Sequence, residues 1–225
     1  MKNLKYYIFL VVTLFAVSLQ AQYGISAKVG SYTPVSTFSN NYDNGFGGEF
    51  TIIYRTNPSI EFGITSGYSS YSADEEALKE RVYEEYKEII DNINIDGVFI
   101  VEAPLNIIPL TLNVKYLFGK KNFKPYFFFE AGVFFYELTT KGSVEITNGP
   151  RKDLPETVEK NNSTMLGFGG GIQYKLSKKL FLDFTAKWSI MNNIRLVEED
   201  VNEDLSGTNR TAQTVGLLGG LSYYF

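Results

Sequence analysis

Residues 211–225 read TAQTVGLLGGLSYYF. Every second residue back from the end gives Phe225, Tyr223, Leu221, Gly219, Leu217 and Val215, an almost wholly apolar row. Between them lie Tyr224, Ser222, Gly220, Leu218, Gly216 and Thr214, mostly small or hydroxylated. A period of two is the signature of a strand. A strand in water seldom presents a terminal Tyr-Tyr-Phe unless something covers it. Lipid is a suitable cover, so the stretch reads as one wall of a transmembrane β-barrel, apolar outside and small or polar inside.

The same alternation recurs up the chain. Leu182, Phe184, Ala186, Trp188 and Ile190 alternate with Asp183, Thr185 and Lys187; Leu166, Phe168, Ile172 and Tyr174 alternate with Gly167, Gly169, Gly171, Gln173 and Lys175. Residues 125–138 are aromatic on both faces, and Glu130 is placed inside because a carboxylate facing lipid is costly. Leu110 to Phe118 puts Lys115 inside. A hairpin around the turn Thr56-Asn57-Pro58-Ser59 puts Glu49, Arg55 and Glu61 inside, and the first strand adds Lys28. Eight strands result. Short turns follow the second, fourth and sixth; longer connections follow the others, which is the asymmetry of outer-membrane barrels. A ten-strand count stays open if 139–163, otherwise a long polar loop with a turn at Lys141-Gly142, contributes a hairpin within the membrane.

The expected fold is therefore all-β, an eight-stranded antiparallel up-and-down transmembrane barrel over 22–225. Residues 1–21 precede it as an export signal: Lys2 and Lys5, an apolar run, then a cleavage site after Ala21. One stretch departs from period two. Leu78, Val82, Tyr86, Ile89 and Ile93 fall on one helical stripe, and the spacing predicts an amphipathic helix in an external loop. It serves either as a partner-binding element or as a solvated helix lying on the barrel rim.

Composition narrows the chemistry. The chain has no histidine and no cysteine, which removes the usual general base, the commonest metal ligand, thiolate sites and disulfides. No catalytic residue, cofactor site or metal site is expected. The formal net charge of −4, with no basic patch, argues against nucleic acid. The mean hydropathy of −0.10 conceals a membrane face, because lipid-facing and lumen-facing residues average out.

The signal segment, the eight strands, the central PLTLNVKYLFG and KKNFKPYFFFEAGVFF, and the closing GGLSYYF resemble the small outer-membrane β-barrel superfamily. That group includes OmpA transmembrane domains, OmpW-like proteins and PorT-like barrels. The resemblance implies the outer membrane of a Gram-negative-type bacterium, with outer-membrane lipids and lipopolysaccharide as surroundings. It also implies that Leu221, Tyr223 and Phe225 act as the insertion signal for the barrel-assembly machinery. The barrel enzymes of that resemblance depend on a histidine, which this chain lacks.

A barrel of about eight strands is just wide enough for its own side chains. The nine inward charges Lys28, Glu49, Arg55, Glu61, Lys115, Glu130, Lys175, Asp183 and Lys187 are expected to form a paired network that plugs the lumen. Neighbouring strands would couple Glu49 or Glu61 with Arg55 and Lys115, and Glu130 or Asp183 with Lys175 and Lys187. The expected function is non-catalytic: a structural or interaction barrel presenting its long loops, with a protein partner there as one expectation. Two alternatives stand beside it. One is a narrow OmpW-like channel for small or apolar solutes, which a large inward aromatic cluster open to one side would support. The other is a PorT-like component of a secretion apparatus.

Overall fold

A computed structural model of the protein describes residues 22–74, 100–119, 122–144, 152–153, 156–194 and 210–225. The export signal and the 78–93 helical stripe lie outside the described residues. The strands in chain order are β1 Gln22–Val35, β2 Gly45–Asn57, β3 Ile60–Tyr71, β4 Ile100–Glu102, β5 Leu105–Leu117, β6 Phe123–Val144, β7 Lys152–Asp153, β8 Thr157–Lys175, β9 Leu180–Ile194 and β10 Arg210–Tyr224.

Eight of these close a ring. Each pairs antiparallel with the next, and β1 pairs with β10 from Gly24↔Tyr224 to Val35↔Gln213, so the sheet has no open seam. Beyond the ring, β4 and β7 are short additions to the far end of β6. The ladder between β6 and β8 continues to Thr140↔Thr157. Most of 139–163 is thus a strand extension of one hairpin rather than a polar loop, and Lys141-Gly142 lies within β6 instead of at a turn. The region looked like loop because its strands stand outside the apolar band and carry polar residues on both faces. The ring keeps eight strands.

The alternation sets the two faces. Phe46, Leu112 and Leu217 are each more than 60% exposed, and Phe50, Ile52, Phe62, Phe127, Phe168 and Phe184 join them on the outer wall. Each side chain of this kind gains about 1.5–3 kcal/mol on leaving water. Here that gain requires lipid outside, not a core inside. Pro109 has no N–H to give its neighbour, and the β3–β5 pairing is interrupted there, between Ser66↔Leu110 and Ser69↔Ile107. The register is the same on both sides of the gap.

Inside, β8 makes room for β6. Gly167, Gly169 and Gly171 stand opposite Glu130, Phe128 and Tyr126, so three large inward side chains share the space above three glycines. A Cβ at Gly167 would lie 2.5 Å from Glu130 Oε1 and 2.6 Å from its Cγ. Because Glu130 is buried and tied to Lys187, it has little freedom to retreat. Gly167→Val is therefore expected to destabilise the barrel by about 1–3 kcal/mol. The shift of its urea midpoint in detergent micelles measures this, and an unchanged midpoint would show that the glycine is dispensable.

Candidate functional site

The inward faces bring eight of the nine expected charges into one buried network at mid-height. At its upper edge, Lys187 on β9 reaches two carboxylates at once. Its Nζ lies 2.9 Å from Glu130 Oε1 and also contacts Glu49 Oε1. The Tyr32 hydroxyl donates to the same Glu49 oxygen at 3.0 Å. In the middle, Asp183 collects most of the remaining donors. Lys115 donates to its Oδ2 at 3.3 Å, Gln173 at 3.1 Å and Ser222 at 3.3 Å. The Tyr126 hydroxyl donates to Oδ1 at 2.5 Å, and Lys28 Nζ stands 3.8 Å from that oxygen while donating to Thr185 at 2.9 Å.

Toward the short turns, Arg55 Nε donates to Glu61 Oε1 at 2.9 Å. The Tyr224 hydroxyl donates to that oxygen at 2.7 Å, and the Arg55 guanidinium sits 3.8 Å above the Tyr224 ring. Phe181 meets the same ring edge-on at 5.2 Å, which caps this end of the lumen. Lys115, 3.7 Å from Glu61 Oε2, bridges this group to Asp183.

Four cations (Lys28, Arg55, Lys115, Lys187) therefore face four carboxylates (Glu49, Glu61, Glu130, Asp183), and the cluster is neutral. Isolated buried charges would cost several kcal/mol each, and mutual pairing offsets that cost. Between them lies a cavity of about 20 Å³ bordered by Lys28, Glu49, Glu61, Lys115 and Glu130. A single water needs about 10–15 Å³. The space is water-sized and no larger.

The partners differ from those expected on three counts. Lys187 takes Glu49 as well as Glu130, Asp183 takes Lys115 and Lys28, and Lys175 forms no ion pair among the described residues. Lys175 is half-buried at the short-turn end of β8, beyond the reach of the cluster. Arg55–Glu61 and Lys115–Glu61 join neighbouring strands, whereas Lys187–Glu49 and Lys115–Asp183 run across the lumen, where neighbour-strand reasoning does not reach. The structure also adds Tyr32 and Tyr224 to the network. Tyr32 was accessible to parity, since it continues the face of Ser26 and Lys28.

Among the described residues, the half of the lumen toward the long connections holds no charge layer. Instead Tyr32, Tyr71, Leu105, Phe134, Met191 and Leu218, with several neighbours, pack into an apolar cluster. A short 3-10 helix, Ser36–Asn40, folds into the mouth and buries Phe38 completely against Tyr42 and Tyr71, with ring centroids 5.0 and 5.3 Å away. Burial pushes the Tyr42 hydroxyl above its ordinary pKa, so it stays neutral there. The inward aromatic cluster that a channel for apolar solutes would need is thus present but packed: Tyr71 and Phe134 are at most 2% exposed. The expected insertion residues Leu221 and Tyr223 on the outer face of β10 and Phe225 just past its end are all exposed, with the Tyr223 and Phe225 rings edge-on at 5.4 Å.

Comparison with known proteins agrees with this geometry. A family model described as "Outer membrane protein beta-barrel domain" matches residues 7–225. The chain is similar to the crystal structure of Neisserial surface protein A at 15% identity and a TM-score of 0.53, covering 91% of this chain and 99% of that one. It also matches a major outer membrane protein from Thermus thermophilus at 16% identity and a TM-score of 0.46, covering 91% and 99%. At such identities the likeness to the Neisserial protein concerns the fold alone. No curated protein matches the sequence.

Proposed function

The chain belongs to the outer membrane protein beta-barrel domain family, and from that membership we propose that it is a sealed barrel which acts at its long-loop end and not through its lumen. The observation that carries this reading is the filled interior. A neutral ion-pair cluster closes mid-height, an Arg55–Tyr224–Phe181 stack closes one end, and Phe38 with the apolar cluster closes the other. A solute path would have to break charge pairs whose separation leaves unpaired charges in a dry space. What remains for recognition is the rim formed by the long connections and by the β6–β8 hairpin, which stands above the ring. The outward row Leu221, Tyr223 and Phe225 is proposed as the element that the assembly machinery engages.

The test is electrical. The refolded chain lacking residues 1–21, added to a planar bilayer, is expected to give no steady conductance. Steady single-channel steps would overturn the sealed-lumen reading and favour a narrow channel lined by the same charges.

A further inference from the structure

On the outer wall, near the long connections, three rows of paired residues run side by side. The lowest is Leu110 and Val133, facing Thr164. The next joins Ile108, Phe135 and Asn162, and the third joins Ser70, Asn106, Glu137 and Lys160. Adjacent outward rows are two residues apart, about 7 Å along a strand. Within that rise the wall turns from aliphatic to polar, which places the boundary between hydrocarbon and headgroups here.

A groove of about 500 Å³ lies across this boundary, with Ile108 and Phe135 as its apolar floor and Tyr68, Asn106, Asn162 and Lys160 among its polar walls. Its volume falls in the range of about 300–1,000 Å³ typical of ligand sites. The floor is exposed and continuous with the lipid-facing surface at Leu110 and Val133. An occupant that satisfies both parts must have an apolar tail and a polar head.

The chemistry of the head follows from the walls. Glu137 and Lys160 contact each other at 2.7 Å, so the groove offers no net positive field for a phosphate. Recognition falls instead to the asparagines Asn106, Asn161 and Asn162 and a phenol, with the Tyr68 hydroxyl donating to Asn106 Oδ1 at 2.7 Å. Amides present donors and acceptors together, which suits a hydroxyl-rich, uncharged group. We infer that this groove binds the sugar headgroup of a glycolipid in the outer leaflet, with one acyl chain lying along Ile108 and Phe135. The site is on the outer wall and is independent of whether the lumen conducts.

The experiment is native mass spectrometry of the folded chain, released from detergent micelles that contain one test lipid at a time. Glucosyl diacylglycerol is expected to be retained roughly tenfold more than phosphatidylglycerol or plain diacylglycerol, a difference of about 1.4 kcal/mol. Asn106→Leu/Asn162→Leu should abolish that preference. Glu137→Gln/Lys160→Gln, which removes both charges and adds amides, should keep it. Equal retention of the three lipids overturns the proposal, as does a preference for phosphatidylglycerol, which would assign the groove to phosphate. Displacement by free glucose would show a soluble sugar site and overturn the lipid assignment. The three-lipid comparison on the unmodified chain stands even if a variant fails to fold.

Discussion

Lys187→Met is expected to destabilise the folded barrel by about 3–5 kcal/mol, the usual cost of removing one partner from a buried ion pair. The size follows from the double role of the ammonium, which serves Glu49 and Glu130 together, each less than 10% exposed. Without it Glu130 has no ion-pair partner among the described residues, and Glu49 keeps only the Tyr32 hydroxyl and Lys28 opposite it on β1. Methionine conserves most of the chain volume, so packing loss is a small part of the effect. The triple variant Lys187→Met/Glu49→Gln/Glu130→Gln should recover most of the stability, because neutral replacement of a whole buried pair is often tolerated. Urea unfolding followed through Trp188, the single tryptophan and the next residue along β9, reads both. A loss below about 1 kcal/mol, typical of exposed pairs, would mean that water reaches the cluster.

Phe38→Ala is expected to cost about 3–5 kcal/mol, the range for deleting a buried phenyl ring. The ring is the one buried side chain of its short helix and the apolar anchor of that segment in the mouth. Its loss should also release the strap that follows. Asp43 N–H donates to Ser72, Asp74 N–H donates to Asn41, and Tyr42 bridges Ala73. Hydrogen exchange is expected to quicken at Asp43 and Asp74 while the amides of Thr185 and Lys187 stay protected. The bilayer should remain silent, since the charge cluster lies beneath. Conductance from this variant alone would move the seal from mid-height to the mouth.

The period-two alternation was enough to place the ring, because each strand has lipid on one side and a mixed lumen on the other. The lumen charges lie on the inward face that parity assigns them, Lys175 included at the short-turn end, since a charge on the lipid face is prohibitive and parity leaves only one other side. Of the partners, Arg55–Glu61, Lys115–Glu61 and Lys187–Glu130 were legible, and the pairs of Glu49 and Asp183 were not. Lys187 and Glu49 are 138 positions apart and meet across the lumen, so their contact depends on how the ring closes, not on strand neighbours. The apolar cluster was hidden for a related reason. Around LNIIPL both faces are apolar, with Leu105 and Ile107 inward and Ile108 and Leu110 outward, so hydropathy has no period to show. Phe38 sits in STFSN, where its neighbours read as loop, and only the mouth it fills gives the ring a purpose.

The ladder between the first and last strands bears on assembly order. Ser26 and Ser222 share a hydrogen bond across 196 positions, and Phe225 N–H reaches Tyr23 O. Every other pairing in the ring joins consecutive barrel strands; this one waits until β10 is in place. Bringing such distant ends together carries the largest loop-closure entropy of any ladder in the molecule. Until it forms, β1 and β10 present bare edges able to pair with another chain. A nascent copy therefore stays vulnerable to misassociation until the fifteen residues of β10 reach the bilayer.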